Sequence, residues 1–461
     1  MNGMESSLRK DQVLRNLWGN QDVDQMTLQI TPYIAEELVE RLKAVHLEDI
    51  GSSEWYTHHQ VVQQLNLHAH QQASAATDEF IMDTIVTKDK VSVLIEELIH
   101  IELWKEKLFP LLKGHLATLP SILSYIPIYH EALLVNLLEV LLYHKTAAQA
   151  ADAHLVDLVD YINRQVVYLL SRDITQLSSP LPSVDKGAQA LPSDEEELDR
   201  QAKDHQFKIC MTCLSILRFL TDHRDGLPVT VTTRLLDQHD ILLSLVSLME
   251  RKPWYRTRPN GEREFFEDQQ WTLQRSDEAS MSKVEAQVWL SIYNLVMDQE
   301  CRNRYEMTTY RRDTLLRLRR HLNETVHDQI PPLMDLHRAL EQLAITGQHP
   351  EEKHRIPPIL VELSAEVREK LLDAYAGKWK EVAERQKTVY SEAKEEDLSR
   401  LSNFMVALPF ESAASKRCRT CGRHADQRCA KCKVTWYCTR ECQIHDWRNH
   451  KEICRAVSPA T

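Results

Sequence analysis

The chain has 461 residues, 43% of them hydrophobic, and a formal net charge of −12. That length allows roughly two to four domains, and the acidic balance argues against direct nucleic-acid binding. Only ten glycines are present, none close to another; this excludes the clustered glycines of a phosphate loop or dinucleotide fingerprint and suits a helical chain.

Residues 1–175 read as an N-terminal helical region. The polar start MNGMESSLRKD has no apolar run, so no signal peptide is expected. Residues 1–50 predict one or two amphipathic helices. Val91, Leu94, Leu98, Ile101, Trp104 and Leu108 recur at three- and four-residue steps, which predicts a helix buried on most sides. Pro110 is expected to end it. Leu133-Leu134, Leu137-Leu138 and Leu141-Leu142 form the next stripe, and Leu155, Leu158, Ile162, Val166 and Leu169 a third. The longest apolar run, Ala132 to Tyr143, is broken by Asn136 and Glu139 and is too short to cross a membrane, so no transmembrane helix is expected.

Residues 176–199, rich in Pro, Ser and acids, read as a flexible acidic linker. Residues 200–345 predict a second helical region, with stripes at Ile209–Leu220, Ile241–Met249, Val284–Leu295 and Leu315–Leu322. Pro253, Pro259 and Gly261 mark a loop rich in Arg and Glu that reaches about Met281. Residues 346–417 are expected to hold a second break, a charged helical segment and a connector. Successive helices with short joints predict an all-α fold, an armadillo- or HEAT-like helical scaffold, although no clean period is present.

Several pairs imitate chemical motifs. Cys210-x-x-Cys213 lies in an apolar helical stripe with no second pair beside it, and reads as core. Glu97-x-x-His100 and Glu324-x-x-His327 have the spacing of di-iron carboxylate motifs, but such pairs arise easily in a helical chain with 21 histidines. His130-Glu131 lacks the second His of a zinc-protease motif. No nucleophile–His–acid set stands out, so no enzyme is expected.

The strongest signal lies at the C-terminal end. Residues 418–454 carry seven of the ten cysteines, in the pattern C-x2-C-x7-C-x2-C-x5-C-x3-C-x7-H-x3-C. Cys418, Cys421, Cys429, Cys432, Cys438, Cys442, His450 and Cys454 supply eight soft donors, enough for two closed tetrahedral zinc sites. Spacing alone permits more than one pairing of these ligands. His424 and His445 break the paired spacing and read as surface residues. Clustered thiols meant for metal argue for a reducing compartment. From Lys416 to Arg455 there are eleven Lys and Arg against four Asp and Glu, so a basic module adjoins an acidic remainder, a charge contrast suited to an acidic partner.

The motif, including Trp436-Tyr437-Cys438 and Cys442-Gln443, resembles a MYND zinc finger. The resemblance implies two zinc ions in a cross-brace: Cys418, Cys421, Cys438 and Cys442 on the first, and Cys429, Cys432, His450 and Cys454 on the second. It also implies a protein-binding module that takes proline-containing peptides, with Gln443 and Trp447 at the groove positions. Ala430 stands where some peptide-binding members carry Ser. The finger is C-terminal and no SET-domain motif is found, unlike the MYND methyltransferases.

The whole-chain layout is similar to a family of axonemal dynein assembly factors. It is carried by VLIEELIHIELWKEKLFP (93–110), HEALLVNLLEVLLYHK (130–145), LVDLVDYINR (155–164) and KVEAQVWLSIYNL (283–295), together with the finger. The resemblance implies a non-enzymatic cytoplasmic adaptor in pre-assembly of outer and inner dynein arms for motile cilia. Implied partners are a leucine-rich-repeat assembly factor, the chaperone HSP90 with its prolyl-isomerase co-chaperone, and axonemal dynein chains as clients. Centriolar satellites and dynein assembly particles are further expected locations. The competing expectation is a nuclear transcriptional co-repressor adaptor.

Overall fold

The computed structural model describes residues 30–173, 177, 193–258, 261–273, 281–346, 364–392, 425, 427–429 and 436–457, with the backbone alone described at 448–450 and 452–457. Two compact units emerge, one of Gln29–Ser399 and one containing Arg400–Thr461. The longer helices, numbered in chain order, are α1 Ser53–Ala75, α2 Val91–Leu103, α3 Ser121–Leu142, α4 His154–Ser171, α5 Asp194–Asp222, α6 Ile241–Arg251, α7 Lys283–Met297, α8 Leu333–Thr346, α9 Trp379–Ser391 and α10 Arg440–Val457.

In the larger unit these helices alternate between two layers. The series α1, α3, α5, α7, α8 packs neighbour on neighbour, and α2, α4, α6 forms the second layer. The packing is that of a helical scaffold, as the sequence predicts. The Leu stripe of α3 is buried at Leu133, Leu134, Leu137, Leu138, Leu141 and Leu142. Among the described residues, Ile122–Leu142 is long and apolar enough to cross a membrane by length and composition, contrary to the expectation from the shorter run. Two thirds of it is buried, however, against α1, α2 and α5, the position of a core helix.

Three sequence expectations are corrected. Pro110 does not stop its helix. Trp104–Leu108 widens into a π-turn, with the Phe109 N–H bonded to the Trp104 carbonyl, and a new helix runs Phe109–Leu116. Pro110 falls in its first turn, where a missing N–H costs nothing.

The acidic end of the proposed linker, Asp194–Asp199, is the start of α5. Ser193 and Glu196 form a reciprocal capping box, with Ser193 N–H donating to Glu196 Oε2 at 2.8 Å. Four consecutive acids face the positive end of the helix dipole. Residues 178–192 lie outside the described residues.

The Arg- and Glu-rich loop is an antiparallel meander, β1 Tyr255–Thr257, β2 Arg263–Glu267 and β3 Gln270–Leu273. Asp268 and Gln269, both at positive φ, make the two-residue turn between β2 and β3. Phe266 and Trp271 pack on Phe207 of α5 at 5.0 and 5.4 Å. Glu264, 1% exposed, is held by Arg256 and Arg258.

The chain then returns to its beginning. Val367–Ala374 packs on α2, and α9 packs on Leu47–Asp49 and on residues 104–116. Gln386, fully buried, accepts from Trp104 Nε1 at 3.0 Å and donates to the Leu47 carbonyl at 2.7 Å. Gly51, at φ +97°, lies under the Tyr390 ring; a Cβ there would sit 2.3 Å from Tyr390 Cε1. Arg368 pairs with Glu102 and Glu106, and Val367 N–H donates to Asp157.

Burial also fixes charge states. His205 sits between Tyr125 and Tyr129, 5.4 Å from each ring, and burial with nearby Lys208 and Lys105 pushes its pKa down to about 3. Burial likewise lowers His68, His70 and His100. Below the unfolded histidine value near 6.5 the unfolded chain binds protons that the folded chain refuses, so this stability is present at neutral pH and lost as pH falls. His205 alone should cost about 2 kcal/mol at pH 5. The urea midpoint is expected to fall between pH 7.5 and 5, and less steeply in His205→Phe; equal slopes would contradict this origin.

Candidate metal centre and peptide-binding surface

Within the C-terminal unit a minimal hairpin pairs Gln427 with Tyr437 and Arg428 with Trp436. Cys429 and Cys438 each follow directly on one strand. Thr439 caps α10, its Oγ1 accepting the Cys442 N–H at 3.3 Å. Glu441, in the first turn, is held below the usual carboxylate range by hydrogen bonds from its own backbone N–H and from Thr439.

Ala425, Cys429 and Tyr437 form the buried centre, with Trp436, Cys438 and Cys442 packed around it. Tyr437 Oη donates to Asp446 Oδ2 at 2.6 Å, tying the hairpin to the second turn of α10. The spacing of ligands did not reveal this bond; Tyr and Asp nine residues apart carry no local signal. Arg428 lies 4.2 Å over the Trp436 ring.

The Cys438 and Cys442 sulfurs are 3.6 Å apart. That is far beyond a disulfide bond of about 2.05 Å. It matches the separation of two thiolates bound to one tetrahedral zinc at about 2.3 Å, roughly 3.8 Å. The pair therefore fits a metal. Cys429 is in the same small centre, while the backbone of His450 and Cys454 continues along α10. Cys418, Cys421, Cys432, His424 and Ala430 lie outside the described residues. His445 is exposed.

Gln443 and Trp447 are one helical turn apart on α10 and so share a face. Trp447 is 41% exposed and Ile444, beside it, 66%. A ring, an aliphatic branch and an amide on one rigid helix give apolar contact area with a polar handle, the chemistry of a short-peptide surface.

The other candidates resolve differently. Cys210 and Cys213 are buried in α5, and burial pushes both thiols up, Cys210 to about 12, as befits core thiols. Glu97 and His100 part company: His100 Nδ1 lies 2.8 Å from the Val45 carbonyl, while Glu97 meets His58 and His130. His327 lies beside His337, the ring centroids 5.2 Å apart and the planes tilted by 36°.

Residues 418–454 match the family of the MYND finger, and the cysteine pair, hairpin and helix described above fit it, so the chain carries a MYND finger beside its helical unit. Along its length it is similar to the zinc finger MYND domain-containing protein 10 homolog of Drosophila melanogaster, 28% identical over 448 residues, which is 90% of this chain and 96% of that protein. Two further relatives match over short stretches. Human Tudor domain-containing protein 1 is 44% identical over 45 residues, 10% of this chain and 4% of that protein. Human histone-lysine N-methyltransferase SMYD1 is 40% identical over 53 residues, 11% of each chain. No solved structure matches.

Proposed function

We propose that the chain is a non-enzymatic cytoplasmic adaptor, a co-chaperone in the folding and pre-assembly of outer and inner axonemal dynein arms. The observation that carries this reading is the full-length likeness, helical body included, to a MYND-domain protein 10 homolog. The finger is its protein-binding module, with two zinc ions in the cross-brace of Cys418, Cys421, Cys438, Cys442 and of Cys429, Cys432, His450, Cys454. Gln443, Ile444 and Trp447 form the contact face. Its partners are a leucine-rich-repeat assembly factor, HSP90 with a prolyl-isomerase co-chaperone, and dynein chains as clients.

Trp447 is the anchor expected to dominate that contact. In pull-downs from cells building motile cilia, Trp447→Ala is expected to recover the assembly factor at least about tenfold less well than the unaltered chain. Equal recovery would remove the finger from the interaction. Absence of dynein chains and assembly factors from the unaltered chain's co-purifying set, with chromatin silencing factors in their place, would replace the adaptor reading with the nuclear co-repressor one.

A further inference from the structure

A second donor cluster lies in the helical unit, far in sequence from the finger. Glu97 of α2 is 2% exposed, His58 of α1 8% and His130 of α3 0%. His58 Nε2 lies 2.8 Å from both Glu97 oxygens, and His130 Nε2 lies 2.8 Å from Oε1. His130 turns its other nitrogen to His59 Nδ1, also at 2.8 Å. Trp55 walls the cluster, edge-on to His130 at 5.1 Å and stacked on His59 at 5.8 Å.

The charge balance of this cluster is unusual. The Glu97 carboxyl meets both histidines in a buried, aromatic-lined interior. Its ion-pair partners among the described residues are the two imidazoles, neither of which has a fixed charge. Other buried acids in this unit have permanent cations beside them, as Glu102 has Arg164 and Arg368, and Glu264 has Arg256 and Arg258. Buried charge without such a partner is costly.

We propose that His58 Nε2, His130 Nε2 and the Glu97 carboxylate form a structural site for a divalent transition metal, zinc by donor class, that joins α1, α2 and α3. Two imidazoles and one carboxylate are an established zinc donor set. The three donor atoms lie within 4.8 Å of one another, each histidine nitrogen 2.8 Å from Glu97 Oε1, so a shift of roughly half an ångström gives the roughly 3–3.5 Å separations around a metal with bonds near 2.1 Å. When the metal enters, each neutral imidazole holds its proton on Nδ1, so the ring tautomers change and no proton need leave. His130 Nδ1–H then donates to His59 Nδ1, the outer hydrogen bond that orients a ligating histidine. The metal supplies the fixed positive charge that Glu97 lacks. With no thiolate among its donors, the site is chemically distinct from the finger.

The test uses the full chain with the finger disabled by Cys429→Ser, Cys438→Ser and Cys442→Ser. After incubation with zinc and gel filtration, it is expected to retain about one equivalent of metal, and to lose it when Glu97→Gln is added. Retention of no zinc by a chain with unchanged helical circular dichroism would overturn the site in favour of a proton-bridged cluster. Should Glu97→Gln not fold, cobalt decides the matter in the finger-disabled chain. Visible bands without a near-ultraviolet thiolate band are expected; a thiolate band, or no bands, would overturn the proposal.

Discussion

Stripping zinc from the finger is expected to unfold residues 418–454 while the helices of residues 30–392 persist. The described core of the finger is only Ala425, Cys429 and Tyr437, with three partly buried neighbours. A segment of under forty residues is too short for an apolar core alone to offset its conformational entropy. Structural zinc contributes about 10–16 kcal/mol in small finger peptides, so metal and fold are one equilibrium here. Mild chelation, or Cys438→Ser, should make the many Lys and Arg of this segment susceptible to trypsin. Far-UV circular dichroism should fall only by the share of α10. The three donors of the helical cluster, 8% exposed or less, would exchange metal much more slowly and should not respond on the same timescale. A finger that stayed protease-resistant without metal would contradict the ligand assignment.

Gln386→Leu is expected to detach the returning helices. Its amide accepts from Trp104 and donates to Leu47, and its Nε2 also lies 3.4 Å from the carbonyls of Glu48 and Ile50. Leucine fits the volume and satisfies none of these groups. An orphaned buried donor or acceptor costs about 1–3 kcal/mol, so losing the Trp104 and Leu47 bonds together should cost roughly 2–6 kcal/mol. Hydrogen exchange should accelerate across residues 367–391 and 47–51. Gly51→Ala should do the same by a different route, since it meets the Tyr390 ring and is strained at positive φ. An unchanged urea midpoint and exchange pattern in Gln386→Leu would mean that the amide is dispensable.

The sequence shows most of the helices because each signal is local. The Leu pairs of α3 and the stripe of α4 are read from a 3.6-residue period that needs no partner. The finger ligands are equally local, fixed by spacing. What was illegible forms only in space. The β-meander uses strands of three to five residues punctuated by Pro and Gly, and its Arg256–Glu264–Arg258 pairing looks, along the chain, like ordinary surface charge. Glu97 was set beside His100 by sequence, whereas the fold sets it beside His58 and His130 from two other helices. The capping box Ser193–Glu196 was readable but was masked by the Pro- and Ser-rich run before it.

The contact between α9 and Leu47–Asp49 joins positions more than 330 residues apart. An open array of helices can fold stepwise as the chain leaves the ribosome, each pair docking on the one before. This chain cannot finish that way. Trp104 and the carbonyls near residue 47 must wait for Gln386 to be synthesised, so the first helices to emerge are among the last to be completed. At about 5–20 residues per second, that interval lasts tens of seconds, during which an apolar face stands open to chaperones. It also bears on deletion mapping: removing the finger together with residues 364–392 would uncover the N-terminal helices, and a partner lost by such a cut need not have bound the finger.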